Sequence, residues 1–390
     1  MEFTWSAEET AFRNEVLGFL KEMLPANWTG LRLSDDEQFA YSRQFTKKFA
    51  AKKWRVMHWP KAYGGLEYNL WRQVIFNEEV AYRGVPGATD LGVSSIGPML
   101  MNFGRDDQKA RFLNAIANAE ILFCQLFTEP GSGSDLASLQ TRAVRDGDDY
   151  VVNGQKVFTS GAHRADWGWL TARTDPEAPK HRGISTFLID MKTPGITIRP
   201  MINMAGVHDQ NEVFFDDVRI PADALVGEEN RGWYQIAASL DSARSSVPRF
   251  ATARRLLEDL VQFARETTGY DGHVLAKDPA IRARLADLAI ELEVGRFIGY
   301  RAVSLQYAGL PGDKVASACK IFGTELHQRL TNAGMNILGL YGQLRTGSKH
   351  AQLLGRIEFF YRESVYYTIG FGTSEINRNI IAGRGLGLPR

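Results

Sequence analysis

Apolar side chains at Phe12, Val16, Phe19 and Leu20 recur three to four residues apart, which lines one face of a helix over residues 6–24. Ser6 and Glu9, three positions apart, form the capping-box signature that starts such a helix. Comparable spacing predicts helices over about 35–53, 68–82 and 105–118, broken by a loop at Trp59-Pro60-Lys61-Ala62-Tyr63-Gly64-Gly65. After residue 120 the period shortens. Residues 121–127 are a short apolar run that reads as a strand, and residues 150–158 set Asn153-Gly154 between β-formers, which predicts a hairpin. Residues 184–190, 196–198 and 212–215 continue the β pattern. Beyond Gly227 the helical period returns, for instance at Leu285, Leu288, Ala289, Leu292 and Arg296. The predicted class is α+β: an N-terminal helical domain at 1–120, a central antiparallel β domain at 121–228 and a C-terminal helical domain, a four-helix bundle, at 229–390.

Composition narrows the function classes. A chain of 390 residues with 44% hydrophobic and 23% charged residues is long enough for two or three cores. Lys plus Arg (46) nearly balance Asp plus Glu (45), leaving +1, so neither nucleic acid nor an anionic membrane is expected as the main partner. The two cysteines, Cys124 and Cys319, make no disulfide framework, and Cys124 sits in an apolar run as an expected buried thiol. No apolar stretch approaches the roughly 20 residues that cross a bilayer. Residues 1–5 lack the basic and apolar segments of a signal peptide, so a cytoplasmic location is expected. The seven histidines show no HxxxH or HExxH spacing, and no metal site is expected.

The chemistry-bearing segment is Thr128-Glu129-Pro130-Gly131-Ser132-Gly133-Ser134-Asp135, which directly follows the first strand. A strand that runs into a Gly-rich turn offers hydroxyls and backbone N–H groups, and glycine lets a phosphate come close. Read on composition alone, the same cluster is a surface turn. The full string is more specific, and it resembles the flavin-binding segment of the acyl-CoA dehydrogenases. Further strings carry that resemblance along nearly the whole chain: Trp59-Pro60-x-x-Tyr63-Gly64-Gly65, Asp148-x-Tyr150-x-x-Asn153-Gly154-x-Lys156, Val218-x-Ile220-Pro221 and Gly372-Thr373-Ser374-Glu375-Ile376. Within the family the chain is similar to the branch acting on steroid side-chain CoA thioesters, on Val157-Phe158-Thr159-Ser160-Gly161-Ala162-His163 and Ala172-Arg173-Thr174-Asp175-Pro176.

The resemblance implies FAD as cofactor and α,β-dehydrogenation of an acyl-CoA, in which a carboxylate takes the α-proton and the β-hydrogen leaves as hydride to the flavin. It implies that Thr128 and Ser134 bond the flavin and its pyrophosphate, with Gln125, Phe127 and Gly133 lining the stretch and Ser134 also near substrate. Phe158 and Ser160 stand where the family usually has Trp and Thr, which keeps an aromatic and a hydroxyl beside the ring. By spacing alone, Phe158 would be a packed strand aromatic. Thr373 and Glu375 fall in the cofactor-side string near the C-terminus, and Asp241 and Arg244 fall where the family contacts CoA.

The base is the departure. Most of the family carries Glu in a Tyr-Glu-Gly-Thr string, where this chain has Gly370-Phe371-Gly372-Thr373. A second group carries it in Leu-Asp-x-Glu-Arg, where this chain has Leu240-Asp241-Ser242-Ala243-Arg244, so Ala243 occupies the expected catalytic position. Asp241 does not replace it, because two residues along a helix turn a side chain by about 200°. Two accounts stand: a naturally base-less subunit, or an Ala in place of a native Glu. The Arg-x-x-Phe-Gly of homotetrameric members is also absent from Arg265-Glu266-Thr267-Thr268-Gly269-Tyr270-Asp271-Gly272. By resemblance the partners are therefore an acyl-CoA, a related dehydrogenase subunit in an α2β2 heterotetramer, and an electron-transfer flavoprotein or similar acceptor. The alternative is a non-catalytic flavin- or acyl-CoA-binding subunit that supports an active partner.

Overall fold

A computed structural model describes residues 4–31, 35–242, 247–269, 272–310 and 312–389, with the side chains of 240–242 outside the description. In chain order the helices and strands are α1 (Ala7–Met23), α2 (Asp35–Ala51), α3 (Leu70–Tyr82), α4 (Gly97–Phe103), α5 (Asp106–Ala117), β1 (Phe123–Leu126), β2 (Arg142–Asp146), β3 (Asp149–Lys156), β4 (Trp167–Arg173), β5 (Ile184–Asp190), β6 (Ile196–Ile202) and β7 (His208–Pro221). Then follow α6 (Gly232–Ser242), α7 (Val247–Glu266), α8 (Pro279–Tyr307), α9 (Asp313–Leu338), α10 (Arg356–Tyr367) and α11 (Ser374–Ile380). The helix–strand–helix order of the α+β class holds.

Contacts divide the chain into two compact units. One comprises 1–34, 68–86 and 244–390; the other comprises 35–67 and 87–243.

The first unit is helical. α1 starts as its capping box requires: Ser6 N–H donates to Glu9 (2.9 Å) and Glu9 N–H donates to the Ser6 hydroxyl (3.2 Å). α7, α8, α9 and α10 pack around Phe250, Leu256, Leu260, Leu288, Leu326, Leu330 and Ile357. Close approach is possible because Gly295 faces the Phe250 ring, where an added Cβ would lie 2.3 Å from a ring carbon.

The second unit carries a seven-stranded sheet ordered β1-β4-β2-β3-β7-β6, with β5 on the other edge of β4. Four pairings are antiparallel, while β1 and β2 run parallel to β4, so the sheet of the expected antiparallel domain is mixed. β4 and β5 are buried on both faces because strand alternation serves two cores. Trp169 and Leu188 face the core shared with the helical residues Ile96, Leu100, Phe112 and Ile236, and Leu170, Phe187 and Ile189 face the other strands.

The hairpin expected at Asn153-Gly154 is absent. β3 runs straight through these residues, and the β2–β3 turn is at Gly147 (φ +62°). Asn153-Gly154 is instead an irregularity in the β3–β7 register, with Gly154 at φ +151°. A Cβ there would fall 2.5 Å from the Thr141 hydroxyl, and the Asn153 amide is taken up by Asp217 (2.9 Å).

Candidate flavin-side site

At the end of β1, Phe127 is buried with its ring centre 4.8 Å from that of Trp169 in an edge-on arrangement, and Gln125 is half-buried in register with Trp169 on β4. Thr128 is half-buried, and its carbonyl accepts from Val157 N–H (2.8 Å), so the turn after β1 is stitched to the loop after β3. Glu129 and Ser132 exchange backbone hydrogen bonds (3.0 and 3.1 Å) around Pro130-Gly131, and the Ser132 hydroxyl donates to the Asp135 carbonyl (3.3 Å). Gly133 and Ser134 end the turn exposed. A Cβ on Gly131 would meet nothing within 4 Å, and one on Gly133 only a methyl at 3.9 Å, so the turn's outer surface is open. Among the described residues the N–H groups of Gly131, Gly133 and Ser134 donate to no protein acceptor.

The turn is braced from behind by a buried ion pair. Lys156, fully buried at the end of β3, donates to Glu129 (2.8 Å), the Phe127 carbonyl (3.0 Å) and the Thr171 hydroxyl (3.3 Å). The Glu129 carboxylate also accepts from Gln140 N–H (2.6 Å) and Thr141 N–H (2.9 Å). Burial pushes the Lys156 ammonium down to about 8, against the pull of Glu129. Burial also pushes Glu129 up, but the Lys156 charge and the hydrogen bonds from Lys156, Thr141 and Gln140 outweigh it and hold the carboxyl below its usual range. At neutral pH both partners are charged and every carboxylate contact fixes the backbone that carries Thr128.

The loop after β3 presents Phe158. Its backbone is left-handed (φ +57°) and its side chain is 55% exposed, so it is not a packed strand aromatic. Asn211, fully buried on β7, clamps the next residue from two sides: its carbonyl accepts from Thr159 N–H (3.0 Å) and its amide donates to the Thr159 carbonyl (3.0 Å). The same amide meets His163 Nδ1 (3.1 Å), its Oδ1 meets His208 Nε2 (2.9 Å), and the two imidazoles stack at 4.0 Å. Ser160 stays exposed, one residue before Gly161, whose N–H donates to the Asp209 carbonyl (2.7 Å). The Val157–Thr128 bond thus sets the loop that carries Phe158 and Ser160 next to the segment that carries Gln125, Phe127, Thr128, Gly133 and Ser134.

The helical unit holds the other expected residues. Thr373 caps α11, accepting from Ile376 N–H (3.1 Å), and Glu375 lies exposed in the first turn. Its own N–H and the Thr373 hydroxyl hold the Glu375 carboxyl below the usual range. Thr373, Ser374 and Glu375 line a cavity of about 410 Å³ with Gln328 and Arg329, and the buried Ser374 hydroxyl has no partner there. Phe371 is exposed and left-handed (φ +55°). Ala243 and Arg244 lie outside the described residues, as do the side chain of Asp241 and the loop residues Tyr270 and Asp271.

Residues 6–120, 124–218 and 230–386 match the N-terminal, middle and C-terminal domain families of the acyl-CoA dehydrogenases. The acyl-CoA dehydrogenase FadE26 of Mycobacterium tuberculosis is 40% identical over 344 residues, 86% of this chain and 85% of that one. The chain belongs to the acyl-CoA dehydrogenase family. Among solved dehydrogenase structures, the ChsE4–ChsE5 complex of Mycobacterium tuberculosis is similar at a TM-score of 0.90 and 34% identity, and the Tcur3481–Tcur3483 steroid acyl-CoA dehydrogenase at 0.89 and 33%, both covering 100% of each chain.

Two parts of this dehydrogenase site escape a reading of the sequence. The pairing of Glu129 with Lys156 had a trace, since both stand in motif strings, but nothing in their spacing says that one neutralises the other. Asn211 and His208 had none, and His163 only its place in the 157–163 string, because strand pairing alone brings β7 to the loop after β3. Among the described residues, no group of three or more His, Cys, Asp or Glu is placed to hold a metal. No described helix is long and apolar enough to cross a membrane.

Proposed function

We propose that this chain is the FAD-holding subunit of an acyl-CoA dehydrogenase that introduces an α,β double bond into an acyl-CoA thioester. The observation that carries the reading is the open turn at 128–134, rigidly braced by Glu129 and Lys156 and flanked by the exposed, left-handed Phe158. Those residues fit a flavin. The free N–H groups of Gly131, Gly133 and Ser134 and the Ser134 hydroxyl suit its pyrophosphate, Phe158 offers a bare aromatic face, and Thr128 and Ser160 offer polar edges. Bound there, a flavin would supply the hydride acceptor. We also assign Thr373 and Glu375 to cofactor binding, and Ser134, Asp241 and Arg244 to the CoA thioester.

The chain's own contribution is positioning. Glu129 and Lys156 fix the turn, and Asn211 fixes the loop that presents Phe158 and Ser160. Proton removal is the function it lacks, since Ala243 and Phe371 occupy the two places from which the family supplies a carboxylate. The similarity to a steroid acyl-CoA dehydrogenase supports a steroid side-chain thioester as substrate, and the two-protein names of both similar structures support a related partner subunit in an α2β2 assembly. An electron-transfer flavoprotein is the acceptor we assign, and two buried cysteines that form no disulfide suit a reducing cytoplasm. A second reading, a non-catalytic flavin- or acyl-CoA-binding subunit, draws on the same two absent carboxylates.

The substitution Ala243→Glu separates them. Assayed with the related partner, steroid and straight-chain acyl-CoAs and an artificial electron acceptor, it should raise turnover by about 10²-fold or more, the contribution of a placed general base. Turnover equal to that of the Ala243 chain would rule out the catalytic reading.

A further inference from the structure

A cavity of about 320 Å³ in the helical unit plays no part in the flavin-side reading. Its walls include Tyr82, Arg249, Arg255, His327, Arg356 and Tyr367. The volume lies at the small end of ligand sites, which run from about 300 to 1,000 Å³.

Three of its four arginines are already engaged: Arg83 pairs with Glu79 (2.5 Å). Arg255 pairs with Asp259 (2.9 Å), and Arg356 pairs with the same carboxylate and with the Thr29 carbonyl. Arg249 differs: among the described residues it pairs with no carboxylate, and its guanidinium rests 4.0 Å from the centre of the Tyr367 ring. An aromatic face accommodates a guanidinium without using its N–H donors, so Arg249 keeps a fork suited to a carboxylate.

His327, only 1% exposed, supplies the complement. One ring nitrogen, Nε2, lies 3.0 Å from the Arg249 carbonyl. A carbonyl only accepts, so Nε2 carries the proton and Nδ1 is a bare acceptor. Nδ1 is buried and has no partner. Burial, and then the Arg249 charge, push the imidazole down to about 3, so the acceptor persists at any ordinary pH. The His327 ring centre lies 5.6 Å from the centre of the Tyr367 ring on which Arg249 rests, so both groups border the same aromatic side chain. Phe360 and Tyr367 add aromatic wall. A ligand that satisfies this lining brings an anion for Arg249, an O–H for Nδ1 and an apolar body for the rings.

We propose that this cavity binds a small 2-hydroxy acid with an apolar body, its carboxylate on Arg249 and its hydroxyl donating to His327 Nδ1. Calorimetric titration of the purified protein with mandelate and with phenylacetate tests it, since the two share ring and carboxylate and differ in the hydroxyl. Mandelate should bind at one site per chain and about five- to tenfold more tightly than phenylacetate, the ratio that one net hydrogen bond gives. Arg249→Gln should weaken both at least tenfold. Equal affinities for the two acids, no binding of either at millimolar concentration, or an unchanged affinity in the Arg249→Gln variant would each overturn the proposal. The comparison of the two acids uses the unaltered chain, so it stands even if the variant fails to fold.

Discussion

Phe158 combines a left-handed backbone with a side chain more than half in solvent, two costs that a merely structural residue would shed. The reading that spends these costs on a cofactor has a direct consequence. Phe158→Gly should stabilise the cofactor-free protein by about 1 kcal/mol, because glycine adopts positive φ without strain, while weakening flavin binding. Thermal unfolding of the apo form and equilibrium FAD titration should therefore move in opposite directions. Lys156→Met asks the opposite question. It leaves Glu129 buried without its counter-charge, and removing one partner of a buried pair costs about 3 kcal/mol or more. The melting temperature should fall, and FAD occupancy with it, because the orphaned carboxylate is the group that holds residues 140 and 141 against the turn. An unchanged melting temperature would mean that the pair does not brace the turn. These residues also show what was legible. The string from Thr128 to Asp135 was readable because its chemistry is local. The Glu129–Lys156 pairing was not, because it depends on two strands meeting.

At the scale of elements, local signals worked where the structure they specify is local. The Ser6–Glu9 capping box places the start of α1, and the apolar run at 184–190 is strand β5. Asn153-Gly154 misled because the same dipeptide that makes a hairpin turn also allows a close approach inside a strand, and only the position of Thr141 shows which applies. The segment Gly92–Ile96 forms a wide turn leading into α4, with Val93 and Ile96 in the core beside Trp59. On α9, His327 makes a prediction of its own. Burial and the neighbouring Arg249 charge hold it neutral down to about pH 3, whereas an unfolded histidine takes up its proton near 6.5. The unfolded chain thus binds more protons between these values. The stability from this site is complete above pH 6.5 and is lost as pH falls toward 3, at up to about 1.4 kcal/mol per pH unit. Denaturant unfolding from pH 7 to 4 should show that slope, and His327→Gln should flatten it. Identical slopes would mean that His327 does not titrate between the two states.

At the scale of the whole molecule, the three domain families of the acyl-CoA dehydrogenases follow in order, and the proposed function turns on what stands at the family's two carboxylate positions. Ala243 and Phe371 stand there, and under the proposed function neither they nor residues 265–272, which lack Arg-x-x-Phe-Gly, complete a site. We propose that a different, related subunit supplies what is missing. Native mass spectrometry of the chain, expressed with and without a related dehydrogenase subunit, tests that account most directly, because one spectrum reports both composition and bound flavin. The expected result is an α2β2 assembly holding one FAD for each copy of this chain. A homotetramer of this chain alone with full FAD occupancy, or a heteromeric assembly in which this chain carries no flavin, would contradict it.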